Sequence, residues 1–292
     1  PPITEMGRSP ARPSARRVRV AGFFGTRVED LMALGYFAGG LGSPDSILVY
    51  RGIAWQSVDP RPDSSGLWVY NAGVMLANGA PLVVGRSCVD DGQAADTDCR
   101  ALMAARDSTG GRWAAGRVDF PPGLELWGVW GRSLDDLLVW GRHRSQSGAG
   151  CDSLPACLFR VSGGSAVPVT DVAGFSVVGV GSIRGAPVVL LEDGTLWTRQ
   201  GDVWGFLSAV PGTSITARDV WSTREARSVA WGGDGVLGVE FLTGTGGVAR
   251  GVAYPFDRPV GIRRVVATVR GAFFVTDDGR LLRAECLGAM GP

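Results

Sequence analysis

The chain has 292 residues, 45% of them hydrophobic, with 45 Gly, 17 Pro, 10 Trp and a formal net charge of +1. That is enough apolar side chain for a full core, and the Gly, Pro and Trp bias points to turns and large packing groups. All 29 Lys and Arg positions are Arg, but they are scattered and no nucleic-acid-binding motif accompanies them, so nucleic acid is set aside as a partner. No apolar run reaches membrane-spanning length, so no membrane span is expected.

The chain opens on Pro1 without Met, which fits a leader already removed. Residues 1–17 are expected to form an arm. The stretch 7–17, GRSPARPSARR, is polar and Pro-containing. From there a unit of roughly fifty residues recurs. The first, near 18–60, contains GFFGTRVEDLMALG (22–35) and closes on LVYRGIAW, with Gly52 and Trp55. The second, near 67–120, closes on MAARDSTGGRW, with Gly110 and Trp113. The third, near 125–170, contains GVWGRSLDDLLVWG (128–141) and closes on CLFRVSGGSAV, with Val167 in the Trp position.

The fourth unit, near 175–210, closes on LWTRQGDVW, with Gly201 and Trp204. The fifth, near 216–257, carries the weaker copy DVWSTREARSVAWG (219–232), in which Trp221 and Gly232 align with Trp130 and Gly141. The sixth, near 262–292, supplies RVVATV, AFFVT and RLLRAE. Its outer strand is either the C-terminal CLGAM or the N-terminal ITEM (3–6), and the latter would join the two termini. Each unit reads as four short strands. In the third these fall near 125–130, 136–141, 157–161 and 165–169, and DLLVWG is apolar enough to be buried on both faces. The fold class is therefore all-β, a six-bladed β-propeller of four-stranded antiparallel blades, with 18–292 as one domain.

The pattern G-aromatic-G-x-x-x-D-D-L-x-x-x-G, then a strand, then G-x-x-W, resembles the repeats of secreted bacterial β-propeller proteins of the broad WD40, kelch and BNR kind, over residues 18–285. The resemblance implies architecture alone, because that set contains scaffolds, lectins and enzymes. The recurring Asp30 and Asp136 read as structural, accepting hydrogen bonds from a tight turn. Most of the Trp occupy repeat positions, where packing between blades explains them.

The loops between second and third strands are long in the first three units, near 37–45, 87–99 and 142–157. They are tight in the last three, at Asp193–Gly194, Gly233–Gly235 and Asp277–Gly279. Long loops in compact repeats suggest a function on one face. Two of them carry cysteine pairs, Cys88 with Cys99 and Cys151 with Cys157, and each pair is expected to form a disulfide stapling its loop. That fits an exported protein: extracellular, cell-surface or periplasmic. Cys286 is left over as a small buried residue or an intermolecular bridge.

The first stapled loop holds Asp90, Asp91, Asp96 and Asp98, a candidate calcium-ligating set that lacks EF-hand spacing. A solvated acidic loop is the preferred reading. Arg142, His143 and Arg144 lie in the neighbouring long loop, and with Arg86 and the four Asp they define a candidate partner-binding face. His143 is the single histidine, and no nucleophile elbow accompanies it, so no catalytic residue is assigned. The expected function is a non-enzymatic exported binding or assembly module. Its partner would be a protein, a surface polysaccharide or a second copy of the chain. The alternative is a glycan-active enzyme or a lectin on the same scaffold.

Overall fold

The computed structural model describes residues 3–5, 18–25, 31–37, 46–50, 55–58, 67–88, 99–106, 111–116, 118–145, 148–150, 157–172, 176–183, 185–209, 217–221, 228–233, 236–242, 248–250, 254–255, 262–268, 271–276 and 281–285. Their strands form six antiparallel sheets of four strands, two of which gain a fifth short strand. The chain divides into two compact units, 16–177 and 1–15 with 178–292.

The N-terminal strand is β1 (Ile3–Glu5). In unit 16–177 the first sheet comprises β2 (Val18–Phe24), β3 (Met32–Phe37), β4 (Ser46–Tyr50) and β5 (Trp55–Val58). The second comprises β6 (Leu67–Met75), β7 (Pro81–Cys88), β8 (Cys99–Arg106) and β9 (Trp113–Ala115). The third comprises β10 (Leu124–Ser133), β11 (Asp136–Ser145), β13 (Leu158–Ser162) and β14 (Ser165–Pro168), with β12 (Gly148–Gly150) beside β11. Neighbouring strands in each sheet are neighbours in sequence, as short hairpin connections require.

In the other unit the fourth sheet comprises β15 (Val177–Ile183), β16 (Ala186–Leu191), β17 (Thr195–Gln200) and β18 (Val203–Ala209). The fifth comprises β19 (Ala217–Trp221), β20 (Ser228–Gly233), β21 (Val236–Leu242) and β22 (Val248–Arg250), with β23 (Tyr254–Pro255) also on β21. The sixth comprises β24 (Ile262–Thr268), β25 (Gly271–Thr276) and β26 (Leu281–Glu285). Its outer strand is β1, with Ile3 opposite Ala284 and Glu5 opposite Leu282. The N-terminal ITE therefore fills the place left open between ITEM and CLGAM, and CLGAM lies outside the described residues.

One irregularity recurs. The first strand of a sheet carries one extra residue relative to the second: Ala21 in β2, Asn71 in β6, Trp127 in β10, Arg218 in β19 and Arg263 in β24. Each is a β-bulge. In four of these sheets the residue before the bulge faces a glycine of the second strand: Gly35, Gly85, Gly141 or Gly233. At Gly85 and Gly141 the reason is a close backbone approach. A Cβ at Gly85 would sit 1.8 Å from the Val69 carbonyl oxygen, and one at Gly141 2.3 Å from that of Glu125. In the fifth sheet the facing glycine is Gly233, not Gly232, so the alignment of Gly232 with Gly141 is corrected by one residue.

The bulge also shifts side-chain parity. In β6, Trp68 and Tyr70 pack toward the first sheet, while Ala72 and Val74 pack toward the third. Strict alternation would put all four on one face. In β10 the residues facing the second sheet are Leu124, Leu126 and then Val129. Unit 16–177 thus has two cores. Phe24, Leu34, Ile47 and Val49 meet Tyr70, Val83, Leu102 and Trp113. Leu82, Val84 and Met103 meet Leu126, Leu137, Val139 and Phe159. Leu137, Leu138, Val139 and Trp140 are all buried, as a strand covered on both faces requires.

Two local expectations are corrected. The strand expected at 136–141 runs on to Ser145, because Glu125 pairs with Arg142, Leu124 with His143, and β12 pairs back onto 143–145. In the turn at the start of β11, Asp135 rather than the recurring Asp136 accepts a hydrogen bond, from Gly163 N–H at 3.3 Å. Asp30 lies outside the described residues.

The close approach yields a stability test. Gly85→Ala must push the β6 backbone away and is expected to cost about 2 kcal/mol or more. Gly205→Ala, where nothing lies within 4 Å of the added Cβ, is expected to stay within about 0.5 kcal/mol of the parent. Urea denaturation of both variants measures the contrast.

Candidate binding site

One end of the second and third sheets gathers the last residues of β7, the first of β8 and β10, the 116–123 connection and the end of β11. Cys88 and Cys99 face each other across β7 and β8 and are joined by a disulfide with a Cα–Cα distance of 4.1 Å. Such a short separation belongs to the non-hydrogen-bonded pairs of an antiparallel ladder. Cys157 is also disulfide-bonded. Its expected partner Cys151, and Cys286, lie outside the described residues.

Two residues along β7 from the disulfide, Arg86 points toward the third sheet. Its Nε lies 3.6 Å from Glu125 Oε1, with both side chains less than a fifth exposed. That distance is an ion-pair contact but too long for a hydrogen bond, and Arg86 Nε is a buried donor without an acceptor. Glu125 Oε1 also accepts from Asn71 Nδ2 at 3.2 Å, and the same nitrogen donates to the Leu126 carbonyl at 2.8 Å. Asn71 is the bulged residue of β6, and Leu126 precedes the bulge of β10. The bulge of one sheet therefore holds the backbone of the next.

Arg142 and His143 are not loop residues. Both lie on β11, in register with Glu125 and Leu124. The Arg142 guanidinium sits 5.3 Å from the Trp127 ring centroid, a cation–π contact. Trp127 is 40% exposed, which sets it apart from the buried Trp68, Trp113, Trp140 and Trp204. His143 lies against Gly123, whose φ of +74° and lack of Cβ admit the imidazole; a Cβ there would lie 2.8 Å from Nε2. His143 Nδ1 is buried without a hydrogen-bond partner. Arg144 is on the same strand, and its side chain is outside the described residues. So are Asp90, Asp91, Asp96 and Asp98, and with them the proposed calcium ligands.

Beside the disulfide lies a cleft of about 470 Å³. Cys99, Arg100 and Ala101 form one wall, and Val118, Asp119, Phe120, Pro121, Pro122 and Gly123 line the rest. Among the candidate residues, then, Arg86 is held inward by Glu125, Arg142 stacks on Trp127, and Cys99 borders the cleft. The sequence reading missed Asn71, Glu125 and the 118–123 wall. Only the bulge register brings Asn71 to Glu125, and a single Glu before an apolar strand carries no signal of its own.

No protein-family model and no curated protein matches the chain. Solved structures do. YCF48 bound to a D1 peptide aligns with a TM-score of 0.59 at 15% identity, over 94% of this chain and 80% of that one. The gluconolactonase XC5397 of Xanthomonas campestris gives 0.58 at 11% identity, over 93% and 87%. The PQQ-bound aldose sugar dehydrogenase of Streptomyces coelicolor gives 0.58 at 13% identity, over 97% and 98%. These are β-propeller-type proteins. The chain shares their fold type, all-β with four-stranded antiparallel sheets. At such identities the likeness extends to fold alone, and a peptide binder stands among the neighbours beside two enzymes. No helix among the described residues is long and apolar enough to cross a membrane.

The inter-sheet contact predicts coupling. Asn71→Ala and Glu125→Ala share one oxygen, so their stability losses are expected to be non-additive by about 1 kcal/mol in a double-mutant cycle. Separately, Cys88→Ser with Cys99→Ser is expected to cost about 2–4 kcal/mol by freeing the loop in the unfolded chain. Thermal denaturation of the parent and the double variant, both without reductant, reads that loss.

Proposed function

We propose that the chain is a six-bladed β-propeller acting as an exported binding or assembly module. It presents the stapled end of its second and third sheets to a protein partner. The observation that carries this reading is the cleft beside the Cys88–Cys99 disulfide. A rigid, covalently closed wall faces a wall of mixed apolar and polar groups, which is how binding sites are placed on stiff scaffolds. Disulfides form and persist in oxidising compartments, which supports export.

The glycan-active reading has less behind it. Glycoside hydrolysis asks for two carboxylates across a cavity, and Asp119 is the single carboxylate among the described lining residues. A surface polysaccharide or a second copy of the chain would use the same face, and charge on its rim would steer either.

A loop exchange tests the reading. Residues 89–98 are replaced by a short Gly-Ser turn with Cys88 and Cys99 kept. Native protein is expected to retain members of a displayed protein-fragment library. The exchanged protein should lose that retention at least tenfold while its melting temperature stays the same. Equal retention by both proteins would take the 89–98 loop out of the binding face and leave the cleft as its binding element, and turnover of a glycan panel by the native protein would favour the enzyme.

A further inference from the structure

The second sheet is complete at one end and unfinished at the other. β8 runs for eight residues, Cys99 to Arg106, but β9 covers only Ala104 to Arg106. Among the described residues, the last bond across this edge is Gly116 N–H to the Met103 carbonyl, at 2.8 Å. After Gly116 the chain leaves the edge. Asp119 forms a parallel bridge with Ser165 of the third sheet, and Pro121 and Pro122 have no N–H to return to β8. Cys99, Arg100 and Ala101 border the cleft.

Ladder parity says which backbone groups face that cleft. Bonds along an antiparallel strand alternate between its two sides. Met103 bonds outward to Gly116, so Ala101, two residues away, also directs its N–H and C=O outward. The disulfide supports this assignment independently. Cys88–Cys99 and Arg86–Ala101 belong to the same alternate set of β7–β8 pairs, and the 4.1 Å Cα separation at the disulfide marks that set as the one not bonded across β7. Among the described residues nothing bonds to the outward N–H and C=O of Ala101.

We propose that this edge at Ala101, facing the wall formed by Val118 and Phe120, takes an extended peptide of a partner protein as an added β-strand. The proposal rests on the binding-module reading above and specifies how the partner is held. Strand addition supplies main-chain hydrogen bonds for affinity and side-chain pockets at alternate positions for specificity. One peptide residue donates to the Ala101 carbonyl and accepts from its N–H, so that residue is not proline. Its side chain shares the face of Ala101, where Val118 and Phe120 pack half-buried on the core. Ala101 is too small to fill that space, so an apolar side chain is favoured at this position. The peptide's next residues project with the exposed Arg100 and are polar. From Cys99 to Ala101 the edge is only about 7 Å long at the rise of a strand. The site therefore holds a short anchor within a longer partner chain.

The test uses the full chain and a displayed library of random linear heptapeptides. The best retained peptide is synthesised and its Kd measured against native protein and Ala101→Pro. Proline is tolerated on an edge strand whose N–H faces away from its neighbour, so this variant removes one donor and spares the sheet. The peptide is also N-methylated at each position in turn, and Ala101 amide exchange is followed with and without it. Expected are a tenfold or greater loss with Ala101→Pro, a similar loss at one N-methyl position, and slowed exchange at Ala101. If Ala101→Pro does not fold, the N-methyl scan and the exchange decide. A peptide bound equally by Ala101→Pro and indifferent to N-methylation overturns strand addition while leaving the binding face standing. Failure of native protein to retain any peptide overturns the proposal, and retention of protein fragments by the stapled face would then keep the broader reading alive.

Discussion

Unit 16–177 depends on a close backbone contact made in both its second and third sheets. In the second and third sheets, where the first strand bulges, the Val69 and Glu125 carbonyls lie so close to Gly85 and Gly141 that no Cβ fits. A bulge bends its strand and sharpens the local twist. A bulge recurs in the first strand of five sheets. It also changes which residues face which neighbour. That change lets a strand such as Leu67–Met75 pack Tyr70 against the first sheet and Val74 against the third. The two cores of unit 16–177 are consequences of the bulge as much as of hydrophobic content.

The same irregularity builds the site. A bulged residue has no cross-strand partner in its own sheet, so Asn71 is available to reach the next one. It does so at the bulge of β10, holding Glu125 and the Leu126 carbonyl together. Glu125 in turn faces Arg86, which lies two residues from the disulfide. The rigid wall of the cleft is thus tied to the neighbouring sheet by a polar contact set, with Leu82, Val84 and Met103 packed on the other side of it. Buried polar groups held this way fix geometry more than they add stability, because desolvation offsets most of the attraction. A binding face needs fixed geometry.

How much of this was legible varied with the length scale. The repeat, the all-β class and the buried DLLVWG strand were visible because each depends on apolar spacing within one segment. The proximity of Cys88 to Cys99 was visible because the two cysteines flank one turn of the chain. The bulges were not. Gly141 stood out as a recurring residue, but its cause lies in the Glu125 carbonyl of another strand. The alignment of Gly232 with Gly141 followed sequence offset and missed by one residue. Arg142 and His143 were assigned to a loop because the composition GRHRSQSG is polar. Pairing with β10 on one side and β12 on the other overrides that composition and extends the strand. Asn71 and Glu125 are 54 positions apart, and no local pattern joins them.

The connection between the second and third sheets shows how a repeat acquires a difference. A fourth strand that ran the full length of β8 would satisfy the whole edge and leave nothing to recognise. Here β9 stops after three residues, and the chain spends its next backbone contact on the neighbouring sheet at Ser165. The consecutive prolines then prevent a return to the first edge. Unpaired strand edges invite association, and natural proteins keep them short or charged. This one is both: it is limited to Ala101, between the reach of β9 and the disulfide, and the neighbouring Arg100 is exposed. An edge so limited cannot template extended aggregation, yet it retains one outward donor and one acceptor beside a half-buried apolar wall. The disulfide at its end holds the third strand in register with β7 where, among the described residues, β9 does not reach. Stapling and the unfinished edge therefore belong to one arrangement, in which the covalent bond replaces the order that the missing strand would have supplied.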